Sequence, residues 1–120
     1  MAVRAVRGAT QVDADDADLV VAATEELVRE VLDRNGWTGA DLISVLFTAT
    51  PDLTSEFPAH AARRLGLVDV PLLCALEIDV AGALPRVLRL MAHVETDLPR
   101  ADIKHVYLRG AVALRRDLAQ

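Results

Sequence analysis

Leu42-Ile43-Ser44-Val45-Leu46-Phe47-Thr48-Ala49 is apolar at nearly every position and rich in β-branched and aromatic side chains. Such a run reads as a strand covered on both faces. Thr50-Pro51-Asp52-Leu53 leaves it as a loop. The elements on either side decide what the cover is. Upstream, residues 2–12 read as a strand, because Gly8 and the β-branched residues disfavour a helix; Val3, Ala5, Arg7 and Ala9 then share one face. Asp13 to Asp18 is an acidic cluster that caps the next helix and complements its positive N-terminal dipole. That helix runs to about Arg34, with Val20, Ala23, Leu27 and Val31 on one face, and Asn35-Gly36 ends it as a left-handed cap.

Downstream, Pro58 at a first helical position and Gly66 after Leu65 bracket a short helix over Ala59 to Leu65. Val70 to Asp79, Val87 to Val94 and Lys104 to Leu114 read as the remaining strands. The order is β-α-β-α-β-β-β. It predicts an α+β fold: a mixed five-stranded β-sheet with a long and a short helix packed on one face. The third and last strands are apolar on both sides, so the face without helices needs another cover. A second copy of the chain is the obvious one, which predicts a homo-oligomer.

The 120 residues make a single domain, with no repeat, linker or low-complexity tract. The composition, 52% hydrophobic and 26% charged, is that of a folded globular chain. A net charge of −5 without a basic stripe excludes a nucleic-acid partner. No segment approaches the ~18 apolar residues of a membrane span, no signal peptide is visible, and Cys74 is the only cysteine. The expectation is a cytoplasmic protein without membrane association.

Three arginines break this pattern. Arg7 follows Val3-Arg4-Ala5-Val6, Arg89 lies inside Val87-Leu88-Arg89-Leu90-Met91, and Arg115 follows Val112-Ala113-Leu114. An arginine keeps its charge, so within a core segment it needs an anion to face. Glu77, in Leu76-Glu77-Ile78, is the one carboxylate in a comparable setting. Positive charge is left over, and a small ligand carrying more than one carboxylate or phosphate would satisfy it. Tyr107 is the only tyrosine, and its hydroxyl would serve the same ligand.

Bland readings stand beside each of these. Arg7 alone reads as a rim arginine snorkelling from a strand end. For Arg89 a structural ion pair and a ligand clamp are equally supported. Glu77 could be an arginine's structural partner, and Cys74 reads as a small packed hydrophobe before it reads as a nucleophile. Alternation points Cys74 and Glu77 to opposite faces of their strand. His60, His93 and His105 lack zinc-ligand spacing, so no metal site is expected, and no phosphate loop, catalytic triad or Schiff-base lysine is present. The residues alone predict an arginine-rich anion site at an oligomer interface, without a cofactor.

Taken together, several segments carry a family resemblance: Val6-Arg7-Gly8-Ala9-Thr10, Thr48-Ala49-Thr50-Pro51-Asp52-Leu53, Phe57-Pro58-Ala59 with Arg63, Cys74 with Glu77 and Asp79-Val80, Arg89 with Met91, Thr96-Asp97, His105-Val106-Tyr107-Leu108, and Leu114-Arg115 with Asp117-Leu118. Over nearly its whole length the chain resembles the monofunctional chorismate mutases of the trimeric α/β class, which are distinct from the all-helical class. The resemblance implies a homotrimer with a pseudo-barrel of sheets, active sites between neighbouring subunits, and conversion of chorismate to prephenate in phenylalanine and tyrosine biosynthesis. It implies Arg89, Glu77 and Arg7 as catalytic residues, with Tyr107, Leu114 and Arg115 also lining the cleft. Phe57, Ala59, His60, Arg63, Leu73 and Cys74 would come from the neighbouring subunit or its rim. His60 and Leu73 depart from the residues common in relatives. They motivate the alternative, a non-catalytic trimeric protein binding a carboxylate metabolite in the same cleft.

Overall fold

The computed structural model describes residues 1–114, and the expected site residue Arg115 lies outside them. Its strands are β1 (Ala2–Gln11), β2 (Leu42–Ala49), β3 (Leu72–Leu76), β4 (Val87–Thr96) and β5 (Val106–Tyr107), and its helices are α1 (Ala17–Asn35) and α2 (Pro58–Arg64). They form one sheet in the order β3-β2-β4-β1-β5. β4 runs antiparallel to both β1 and β2, while β3 and β5 pair in parallel with β2 and β1. The sheet is mixed and five-stranded, as the sequence predicts.

Local chemistry sets the helix ends. Asp16 caps α1 by accepting the Leu19 main-chain N–H at 3.1 Å. Gly36 closes it at φ 70, in the left-handed region that glycine enters without penalty. α1 lies close on the sheet at Gly8, where an added Cβ would sit 3.1 Å from Leu27 and 3.3 Å from Val31. The core between sheet and helices is built from Val6, Leu27, Val31, Phe47, Leu90 and Val94, with α2 adding Ala59 and Ala62. Thr10 also points into this layer, fully buried, and its hydroxyl has no partner among the described residues. Thr10→Val is therefore expected to stabilise the fold by about 1 kcal/mol, since it removes an unsatisfied buried hydroxyl at nearly constant shape. A rise of a few degrees in thermal midpoint checks it.

Two strands are shorter than the sequence suggests. The predicted third strand, Val70 to Asp79, is reduced to Leu72–Leu76. Its one neighbour is β2, which ends at Ala49, so residues beyond Glu77 have nothing to pair with. The predicted fifth strand, Lys104 to Leu114, is reduced to Val106–Tyr107 followed by a 3-10 turn over Arg109–Leu114. Arg109 adopts φ 52 there, and Gly110 packs against the amide end of the Gln11 side chain, which would have to move to admit a Cβ. Arg109 consequently does not share a strand face with Tyr107; it turns to pair with Glu26 of α1.

β4 alternates cleanly. Its even-numbered residues are buried beneath the helices, while Arg89, Met91, His93 and Glu95 face outward. The outward face of the sheet is bare within one chain and largely apolar, with Val3 59%, Leu46 37%, Leu73 65% and Met91 40% exposed. One end of it is covered, where the 3-10 turn packs Ala111 and Leu114 onto Ala9 and Tyr107. No helix among the described residues is long and apolar enough to cross a membrane.

Candidate active site

The register of the bare face assembles a site from four strands. Thr48 lies opposite Arg89, Arg89 opposite Ala9, and Ala9 opposite Tyr107, giving one row across the sheet. Leu46, Met91 and Arg7 form the adjacent row. Side chains two residues apart on one strand share a face, so the two rows converge. Arg7, Gly8, Leu46, Thr48, Arg89, Leu90, Met91 and Tyr107 line a single cleft of about 270 Å³.

Glu77 enters from the end of β3. Its main-chain N–H continues the ladder onto the Ala49 carbonyl at 2.9 Å, which keeps it in phase with Leu73 and Ala75 on the bare face. Its carboxylate is mostly buried and takes the Nε–H of Arg89 on both oxygens, at 3.2 and 3.1 Å. The Thr48 hydroxyl donates to Oε2 at 2.7 Å. Arg89 is thereby gripped by its Nε edge. Among the described residues, its two terminal nitrogens make no hydrogen bond. A guanidinium has five N–H donors in a planar fork, so fixing one edge aims the rest.

The charge count matches the sequence argument. Arg7 and Arg89 bring two positive charges to the cleft and Glu77 one negative. The main-chain N–H of Arg7 is tied to His105 Nδ1 at 3.0 Å, while its guanidinium has no ion-pair partner among the described residues. Tyr107 is nearly buried, and its hydroxyl has no hydrogen-bond partner among them. The cleft presents one excess positive charge, two arginine forks and a free hydroxyl, the recognition chemistry of a small carboxylate.

The other expected residues divide. Phe57 and Cys74 line a second groove of about 350 Å³ with Leu53, Glu56, Ala75 and Leu76, at the β3 edge of the sheet and apart from the arginine cleft. This is the opposed placement of Cys74 and Glu77 predicted from alternation. Cys74 also packs against the main core, in keeping with its reading as a small hydrophobe. Ala59 is buried in the core, His60 is bonded through Nδ1 to Glu56 at 2.9 Å, and Arg63 is exposed on α2. Leu73 stands on the bare face opposite Leu46, and Leu114 packs beside Tyr107. Within one chain, then, Arg7, Glu77, Arg89 and Tyr107 come together, while Phe57 and Cys74 form a separate half.

Two supporting groups are not predicted as site residues from the sequence. Thr48 is one, because only the β2–β4 register brings it to Glu77. Asp15 is the other. It accepts from the Thr54 hydroxyl at 2.8 Å and from the main-chain N–H groups of Thr54 and Ser55, each at 3.0 Å. Hydrogen bonds from Ser55 and then Thr54 hold its carboxyl below the usual range. It anchors the loop that carries Phe57. Glu56 caps the same loop, its carboxyl lowered by the Phe57 main-chain N–H and by His60.

Comparison with known proteins agrees with this geometry. The sequence model of the family "Chorismate mutase type I" matches residues 3–118. Chorismate mutase AroH of Thermus thermophilus is 50% identical over 117 residues, covering 97% of this chain and 96% of that protein. Chorismate mutase AroH of Bacillus subtilis (strain 168) is 41% identical over 120 residues, covering 99% and 94%. The solved chorismate mutase from Clostridium thermocellum Cth-682 superposes with a TM-score of 0.90 at 48% identity, covering 92% of this chain and 98% of that one. With a family model and relatives of 41–50% identity matching nearly its whole length, the chain belongs to the chorismate mutase type I family.

Proposed function

We propose that the chain is a cytoplasmic, homotrimeric chorismate mutase that converts chorismate to prephenate in the clefts between neighbouring subunits. The observation that carries the reading is the Arg89 guanidinium, held edge-on by Glu77 in a cleft it shares with Arg7 and Tyr107.

The rearrangement is intramolecular and pericyclic, so it requires no nucleophile, proton donor or cofactor. Two effects remain for a protein to supply. The first is orientation. Chorismate is a flexible dicarboxylate whose reactive conformer brings the enolpyruvyl side chain over the ring. Arg7 and Tyr107 engage the carboxylates and hold that compact form, converting conformational entropy into rate. Arg115 would add a further positive contact. The second effect is electrostatic. Carbon–oxygen cleavage runs ahead of carbon–carbon bonding, so negative charge grows on the ether oxygen. The terminal N–H groups of Arg89, fixed beforehand by Glu77, meet that charge without reorganising. Glu77 keeps an oxygen available to accept from the ring hydroxyl.

The second groove supplies the other wall. In a trimer, Phe57 and Cys74 of one subunit, with Ala59, His60, Arg63 and Leu73 near them, face the arginine cleft of the next. The bare apolar face of the sheet favours this assembly, because in one chain it leaves large side chains in water. Following the loss of the chorismate diene absorbance tests the reading. Saturable turnover is expected from the purified protein; binding of chorismate without turnover would instead establish the non-catalytic carboxylate binder.

A further inference from the structure

The segment 77–86 joins β3 to β4. Glu77 is its first residue, and its last delivers the chain to β4 three residues before Arg89. From Ile78 to Ala83 it is exposed throughout, so it is held by its ends. At the near end the Glu77 N–H bonds to Ala49. At the far end stands Arg86, at φ 51, a left-handed conformation that non-glycine residues rarely adopt.

Asp52 is placed to enforce that conformation. Its carboxylate accepts the Arg86 main-chain N–H on both oxygens, at 3.1 and 3.0 Å. The Thr50 hydroxyl donates to Asp52 Oδ1 and itself accepts the Val87 N–H at 3.0 Å. The Thr50 N–H returns to the Val87 carbonyl at 3.1 Å. From the other side, Arg86 Nε donates to the Val12 carbonyl at 2.8 Å, and its own carbonyl accepts the Val12 N–H at 2.8 Å. The start of β4 is thus pinned to the ends of both β1 and β2, the strands carrying Arg7 and Thr48.

We propose that Asp52 is a positioning residue for Arg89: by holding Arg86 left-handed it fixes the start of β4 and the far end of the Glu77 segment, and so the geometry of the Arg89–Glu77 pair. This rests on reading the arginine cleft as the chorismate site. Asp52 does not line that cleft, so its effect falls on how the guanidinium is aimed and not on substrate contacts. A displacement of about 1 Å at a reacting group can cost about 100-fold in rate.

The test is kinetic and spectroscopic. Asp52→Ala is expected to lower kcat by about 10-fold or more with KM within about 3-fold of the unaltered protein, the pattern of weakened transition-state stabilisation with substrate binding preserved. In nitrogen-15 spectra the Arg89 Nε–H signal, assigned by its absence in Arg89→Lys, should exchange faster with water. Arg86→Gly in the Asp52→Ala background should recover at least about 3-fold of the lost kcat, because glycine accepts the left-handed conformation without enforcement. Should Asp52→Ala fail to fold, Asp52→Asn, which retains one acceptor oxygen, is expected to show the same split at smaller size. An unchanged kcat in the variant that folds, a loss confined to KM, or an unaltered Arg89 signal would overturn the proposal. Absence of turnover in the unaltered protein would overturn the chorismate reading instead, and the Arg89 signal would still decide the role of Asp52.

Discussion

Replacing Arg89 with alanine is expected to lower kcat by about a thousand-fold or more while leaving the fold and assembly intact. One transition-state donor aimed at a developing oxyanion is worth about 3–4 kcal/mol, or about two to three decades in rate. Arg89 has two terminal NH2 groups free of other side chains among the described residues, so the upper end applies. Its removal also strands Glu77, a mostly buried carboxylate whose remaining side-chain donor among the described residues is Thr48. The outward-facing position of Arg89 protects stability, since the arginine is 44% exposed within one chain and its truncation leaves no core cavity. Arg89→Lys is the sharper variant. A lysine carries the charge but is a point donor, so it can satisfy Glu77 or reach the ether oxygen, and not both through one rigid plane. Its kcat is expected about 100-fold or more below that of the unaltered protein. Steady-state kinetics with far-UV dichroism and sedimentation as fold and assembly controls check both variants. If Arg89→Lys kept most of the rate, charge alone would suffice and the Glu77 grip would have no catalytic meaning.

The feature that makes Arg89 important also makes it legible in the sequence. A charge that cannot be shed, set in the middle of a strand whose alternate residues are buried, can be found by counting, and Arg7 is found in the same way; Glu77 is found as the carboxylate among apolar neighbours in Leu76-Glu77-Ile78. Alternation further separates Cys74 from Glu77. What alternation does not supply is register. Thr48 sits on a readable face of β2, yet only the pairing of β2 with β4 brings it to the Glu77 carboxylate. Backbone conformation is hidden for a similar reason. Arg86 and Arg109 hold positive φ with side chains that give no hint of it; Asp52 enforces the first, while Glu26 and the Gly110–Gln11 contact accompany the second. The excess length expected for the last strand follows from the second of these. Its apolar residues beyond Leu108 are real, but they cover Ala9 and Tyr107 as a 3-10 turn and do not extend the sheet. The proposed division of the site between two subunits is the clearest case, because no pattern within one sequence states what a second copy brings.

Ala5→Asp is accordingly expected to split the assembly and abolish activity without unfolding the chain. Ala5 lies on the bare face, exposed, opposite His93 and two residues before Arg7. Within one chain an aspartate there points into water, so the folded chain tolerates it. In the proposed trimer the bare sheet faces close on one another, and this position is then removed from water. Three carboxylates would then be removed from water, each costing several kcal/mol, a cost that pairing with Arg7 on the same face offsets only in part. The protein is expected to sediment as a single chain with native far-UV dichroism. Turnover should fall below about 1% of the unaltered rate, since each arginine cleft loses the Phe57–Cys74 wall that restricts the substrate to its reactive conformer and excludes water. Ala5 does not line the cleft, but an aspartate there shares a face with Arg7 two residues on, so the sedimentation result, and not the rate alone, identifies loss of assembly as the cause. A mixture with intact chains gives the converse measurement, because only trimers built from unaltered subunits should contribute rate. Full activity in a chain that sediments as a monomer would mean that one subunit holds the complete site, and the reading of Phe57 and Cys74 as a neighbour's contribution would be lost.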